Sequence, residues 1–264
     1  MIESNSLILS ATLHEPQFRL KKMLLEVLPI IKTLFSASVV CCTPSTGSDV
    51  VEFLKNEGFS VPIGPVAPQY ECYRLAHKIA LTMIVNPALQ KIFYIDFDRL
   101  IHWASKFPEE LKDVLQNIDV DYLHIGRTDR AFESHPITQK NTEIIVNELG
   151  SKILGFEDVR DIISVCYTYT KELGEKLLSI ENATNTGFYG TWPLYLYKWA
   201  TSKQYLEVEG HEWETPDRFA EEISKDGYEN WLNKFKTPVE WERRINLMHD
   251  CLQEMFEMIK IEIK

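Results

Sequence analysis

The sequence predicts an α/β protein, with a mainly parallel sheet flanked by helices and a C-terminal helical extension. Three observations carry that prediction. Short apolar runs alternate with helical-period segments from residue 7 to about residue 180, the pattern of βα units joined by right-handed crossovers. One run, Ile92-Phe93-Tyr94-Ile95, is continuously apolar, β-branched and aromatic, as in a strand buried on both faces. After residue 215 the chain turns to charged sequence with helical spacing.

Taken in order, residues 7–13 (LILSATL) form the first expected strand, broken by His14-Glu15-Pro16. Residues 18–35 carry an apolar helical face, with Pro29 as a kink site. Residues 38–42 (SVVCC) are the second strand, stopped by Thr43-Pro44. A short helix follows over 47–58, with Gly58 at its C-terminus. Residues 59–63 are expected as a third, short strand. After the loop 64–69, residues 70–85 are strongly helical, with Arg74, His77 and Lys78 near one face. The apolar run then leads to Asp96 and Asp98, and the helical pattern resumes beyond Trp103 and over 108–116. Strands are expected at 121–125 and 162–170, with helices at 137–154 and 171–180. Beyond a polar loop at 181–189 come an aromatic helix (192–200), a short strand (205–208) and a helical tail (218–264). The tail is expected to pack on the domain or on a second subunit, which makes a homodimer through these helices one alternative.

Composition narrows the function. A net charge of −11 argues against non-specific nucleic-acid binding, which needs a basic surface. The cysteines are odd in number and show no CxxC or Cys/His metal spacing, so reduced core thiols are expected. Glu3 stands where a secretory signal has a basic region. No apolar run reaches the length of a membrane span. A cytoplasmic protein with no transmembrane segment is the expectation.

The chemistry concentrates at Asp96-Phe97-Asp98. In open α/β sheets the carboxyl ends of the strands are where ligands bind. Two carboxylates one residue apart raise each other's pKa, and desolvation adds to the cost. A divalent cation such as Mg²⁺ or Mn²⁺ removes that repulsion, and Mg²⁺ combines carboxylates with substrate phosphates. The alternative is an ordinary strand end with two solvated aspartates, one capping the next helix.

This arrangement resembles the GT-A fold (Rossmann-like) of nucleotide-sugar glycosyltransferases. The resemblance rests on the polar loop after the first strand, the basic helix with Arg74 and Lys78, and an apolar strand ending in D-x-D. The segment 125–136 (IGRTDRAFESHP) also looks like a bacterial or archaeal subgroup. The likeness spans roughly residues 5–215. It implies a nucleotide-sugar-binding catalytic domain over 1–215 and an extension over 216–264. It implies a nucleoside-diphosphate sugar as donor and Mn²⁺ or Mg²⁺ as cofactor. By resemblance, Asp98 is the direct metal ligand, Asp96 binds metal through water or holds the ribose, and His211 is the candidate third ligand. Thr12, His14 and Glu15 occupy the loop that grips nucleobase and ribose, and Arg74 and Lys78 meet the diphosphate. Many family members carry an acidic base near the helix after the last core strand. Here that stretch reads Thr186-Gly187-Phe188-Tyr189-Gly190-Thr191-Trp192-Pro193, with no acid. Glu212, Glu214 or Asp217 are the substitutes in an inverting reaction; a retaining reaction needs none.

Arg127, at the end of the next strand, either holds an anionic acceptor or pairs with Asp129 or Glu133. Three rivals remain. A sugar nucleotidyltransferase would show a Gly-rich basic loop after the first strand, and residues 10–18 have neither Gly nor Lys. A haloacid-dehalogenase-type phosphohydrolase places D-x-D near the chain start. A GT-A-like domain that binds a ligand or partner without turnover fits the missing base and the charged tail.

Overall fold

The computed structural model describes residues 6–116 and 118–263, with side chains as far as Lys260; Glu3 and the segment before Ser6 lie outside the described residues. The chain runs β1 (Leu7–Leu13), α1 (Lys21–Leu34), β2 (Ala37–Cys42), α2 (Ser48–Asn56) and α3 (Tyr70–Thr82). It continues through β3 (Lys91–Asp96), α4 (Phe97–Lys106), α5 (Pro108–Gln116), β4 (Tyr122–Arg127), α6 (Asp129–Glu133) and α7 (Ile137–Ile153). Then follow β5 (Tyr167–Tyr169), α8 (Lys171–Leu178), α9 (Phe188–Trp199) and β6 (Lys203–Val208). The C-terminal part holds α10 (Thr215–Arg218), α11 (Ala220–Asp226), α12 (Tyr228–Leu232) and α13 (Pro238–Ile263).

The strands form one six-stranded sheet in the order β2-β1-β3-β5-β4-β6. β1 pairs in parallel with β2 and β3, and β4 with β6. Only β5 runs the other way, antiparallel to both β3 and β4. The sheet is therefore mixed but mostly parallel, and the carboxyl ends of the other strands share one edge. Side chains alternate across it, as a strand's period of two requires. Leu9, Ala11, Val40, Phe93, Ile95 and Ile125 meet the helices on one face; Ile8, Val39, Cys41, Ile92, Tyr94, Tyr122 and Tyr167 meet those on the other. All five cysteines are buried and free of disulfides.

Several elements depart from the sequence expectation, each for a physical reason. The helix expected beyond Trp103 begins at Phe97, so Asp98 sits in its first turn. A carboxylate there is favoured by the positive end of the helix dipole. Residues 97–104 are buried except Asp98, and burial on nearly all sides hides the helical period. Residues 59–63 contribute only two isolated bridges, Val39 with Ser60 and Cys42 with Ile63. Pro62 between them has no N–H to extend a ladder. The expected strand 162–170 divides: Ile162–Ser164 is a 3₁₀ turn, Val165 is left-handed at φ 56, and only Tyr167–Tyr169 is strand. A β-branched residue at positive φ is a strained position. The aromatic helix begins at Phe188 rather than Trp192.

The tail is not one solvated unit. α13 sends Cys251, Met255 and Met258 into a cluster with Val146 of α7, Leu194 of α9 and Ile162–Ile163. That part of its apolar face is covered by its own chain, while Ile245 and Phe256 stay exposed. No helix among the described residues is long and apolar enough to cross a membrane.

Gly210 is held where a side chain does not fit: a Cβ there would lie 1.8 Å from Trp103 Cδ1. Trp103 is fully buried, so it has nowhere to retreat. Gly210→Ala is expected to destabilise the fold by about 2 kcal/mol or more, read as a lower denaturation midpoint with unchanged slope.

Candidate functional site

The register of β1 against β3 places Thr12 beside Asp96 at the carboxyl edge. Three hydroxyls converge on Asp96 Oδ1: Thr12 Oγ1 at 2.8 Å, Tyr94 at 3.1 Å and Tyr73 at 3.3 Å. The Tyr73 hydroxyl also meets that of Tyr189, from α9, at 2.5 Å. Burial and the neighbouring Asp98 push the Asp96 carboxyl up to about 6, against the pull of Arg99 and the Thr12 hydrogen bond.

Asp96 lines a cavity of about 420 Å³ on this edge. Arg99, Arg127, Arg243 and Arg244 line it too, with Glu143, Glu214 and Asp250. Arg99 is anchored by a hydrogen bond to the Ser164 carbonyl and lies 3.7 Å from Glu214. Arg243 and Arg244 both donate to Glu240, and Arg244 lies 3.7 Å from Glu143. The side chain of Arg243 is 63% exposed, so its charge faces solvent at the cavity rim. Val165, the strained residue ahead of β5, also lines the cavity.

Arg127 lines the cavity, but its partners are neither Asp129 nor Glu133. It donates through Nε and Nη2 to both oxygens of Asp161, at 2.7 and 2.8 Å, and through Nη2 to Glu143 at 2.7 Å. Burial alone would raise the Asp161 carboxyl; Arg127 holds it well below the usual range instead. The guanidinium is 1% exposed, so Arg127 ties β4 to α7 and the loop before β5. That compensation occupies the guanidinium with carboxylates of its own chain.

The remaining expected site residues scatter. Thr12 reaches the cavity only through Asp96. His14 is exposed and bonds Thr43 and Ser45. Glu15 is buried, with Oε1 accepting from the Arg19 amide and Oε2 3.0 Å from Arg218. Arg74 donates to the Ile180 and Leu178 carbonyls at the end of α8, and Lys78 is exposed on α3. Neither lines the cavity. Glu212 pairs with Arg130 and His102, and Asp217 with His102. Of the three candidate bases only Glu214 lines the cavity.

The metal set does not assemble as expected. Among the described residues, no group of three or more His, Cys, Asp or Glu side chains is disposed to hold a metal ion. His211 is fully buried, with its ring 4.7 Å from Trp103 and both nitrogens without a partner. Burial keeps it neutral, with its pKa well below the usual imidazole range. Asp98 Oδ2 lies 2.9 Å from Arg218 Nη2. The residues present therefore do not fit a D-x-D–His metal centre.

The arginines of the tail, Arg218, Arg243 and Arg244, are the main site residues that periodicity passed over. The one signal available was an adjacent Arg-Arg pair in an otherwise acidic segment.

No family model matches the chain, and no curated protein matches it. Among solved structures, the chain is similar to a mycobacterial protein with a TM-score of 0.46 and 11% identity, covering 77% of this chain and 66% of that one. It is also similar to glucosyl-3-phosphoglycerate synthase from Mycobacterium tuberculosis. With Mn²⁺, UDP and phosphoglyceric acid bound, that protein matches with a TM-score of 0.46 and 13% identity, over 89% of this chain and 80% of that one. With Mn²⁺, UDP-glucose and glycerol 3-phosphate, the TM-score is 0.43 at 14% identity, over 89% and 81%.

The Asp96 carboxyl sits above its ordinary value of 3.8, at about 6. The folded state then holds the proton more tightly than the unfolded chain. The stability this contributes is full below that window and lost as pH rises through it. Asp96→Asn keeps an acceptor for the three hydroxyls without the charge. Wild type is expected to lose thermal stability relative to Asp96→Asn as pH rises from about 4 to 6; parallel melting curves across that range would contradict the assignment.

Proposed function

We propose that the chain is a glycosyltransferase that binds a nucleoside-diphosphate sugar in the cavity beside Asp96 and transfers the sugar to an anionic acceptor. The observation that carries this reading is the cavity itself. At the carboxyl edge of a mostly parallel sheet, a carboxylate positioned by three hydroxyls shares one pocket with four arginines. Arginines bind phosphate and carboxylate through paired hydrogen bonds, and a carboxylate accepts from sugar hydroxyls. Arg99, Arg243 and Arg244 are assigned to the anionic groups of donor and acceptor. They stabilise the charge that develops on the departing diphosphate. Glu214 is assigned as the carboxylate near the reacting carbon, as base toward the acceptor or as stabiliser of an oxocarbenium-like transition state.

In this reading residues 1–215 form the donor-binding part. The segment 216–264 completes the acceptor side through Arg243 and Arg244.

A second reading, a binding protein without turnover, is favoured by one observation: Glu214 is itself paired with Arg99. Turnover separates the two. A thermal-shift screen with nucleoside diphosphates and nucleotide sugars is expected to give a stabilising hit. A ligand at a hundred times its Kd contributes about 2.7 kcal/mol. With that donor, Glu214→Gln is expected to lower kcat about a hundredfold or more while the shift persists. A donor that binds but is never hydrolysed or transferred, or no shift with any nucleotide, would select the second reading, a ligand- or partner-binding protein.

Arg244→Ala is expected to weaken binding of the anionic ligand about tenfold, the loss of one charge-assisted contact. Titration calorimetry against wild type checks it.

A further inference from the structure

Asp98 does not present a free carboxylate. Arg218 spans two acids, with Nη2 2.9 Å from Asp98 Oδ2 and Nε 3.0 Å from Glu15 Oε2. The three side chains are largely withdrawn from solvent: 19% exposed for Arg218, 17% for Asp98 and 3% for Glu15. They come from three separate parts of the chain, namely the loop after β1, the first turn of α4 and the end of α10.

The segment that delivers Arg218 is pinned on both sides. Asp217 bonds His102 of α4 at 2.6 Å, and Phe219 lies under the Arg19 guanidinium at 4.5 Å. The same segment begins with Glu214 and Thr215, which line the cavity. One cation held between two carboxylates does electrostatically what a divalent ion does at such a strand end: it offsets their repulsion. Asp98 cannot give the same oxygen geometry to a guanidinium and to a metal ion at once.

We propose that Arg218 takes the place of a divalent cation at the D-x-D: its guanidinium holds Asp98, so the wild-type chain offers no Asp98-dependent site to a divalent metal ion. The functional meaning of this replacement rests on the reading of this edge as the donor site. Its measurement does not, because it needs no nucleotide.

The test is titration of MnCl₂ alone into the full chain, followed by water-proton relaxation. Arg218→Gln is expected to bind Mn²⁺ about tenfold more tightly than wild type, the scale of one partly buried ion pair. The gain disappears when Asp98→Asn is added, and Arg218→Lys, which keeps the charge, behaves as wild type. Equal affinity in wild type and Arg218→Gln, or a gain that survives Asp98→Asn, overturns the proposal. If Arg218→Gln fails to fold by circular dichroism, wild type and the single Asp98→Asn variant decide. Equally weak Mn²⁺ binding in both supports the replacement. A wild-type Mn²⁺ site abolished by Asp98→Asn overturns it. Absence of nucleotide binding would remove the glycosyltransferase reading and leave this result standing.

Discussion

Two carboxylates at the end of one buried strand are the constraint on which the rest of this edge depends. Asp96 and Asp98 stand one residue apart where the sheet meets α4, and two like charges held this close call for compensation. The fold meets the requirement in two different ways. Asp96 takes three neutral hydroxyl donors on one oxygen and keeps a raised pKa. Asp98 takes a full positive charge from Arg218. The first solution draws on β1, α3 and β3. The second draws on the distant end of α10, so the tail becomes part of the charge balance of the site.

The same logic recurs deeper in the molecule. Arg127, Asp161 and Glu143 form a buried network in which every charge has a partner, with Asn147 adding a hydrogen bond to Asp161. Buried networks of this kind are costly unless complete. Here completeness locks β4, α7 and the strained turn before β5 into one body. His124, His135 and His211, buried in the same region, are held neutral by desolvation. Beside this network, Arg243 keeps a solvent-facing charge while bound to Glu240, and Arg243 and Arg244 line the cavity together with Glu143, Glu214 and Asp250.

How much of this was legible depended on the range of the interaction. The run Ile92-Phe93-Tyr94-Ile95 announced a strand because hydrophobic burial acts residue by residue, and its terminal aspartates located the site. Local pattern did not carry direction, so the reversal of β5 was invisible: Tyr167–Tyr169 looks the same from either end. Nor did it separate a helix buried nearly all round, such as α4, from an apolar loop. Arg74 and Lys78 illustrate the converse error. They sit on the expected helix, yet Arg74 satisfies the open carbonyls at the end of α8, a need that exists only once α3 and α8 are packed.

The sequence by itself determined the α/β class, most of the strands and helices, the D-x-D at the carboxyl edge and the acidic, charged character of the tail. These follow from burial and periodicity, which are properties of neighbouring residues. Only the tertiary structure decided which charges meet: Arg218 on Asp98 and Glu15, Arg127 on Asp161 and Glu143, and Arg243 and Arg244 at the cavity. Ion pairs between residues far apart in the chain depend on the path of the backbone between them. No local spacing encodes that path, and the chemistry of the site depends on it.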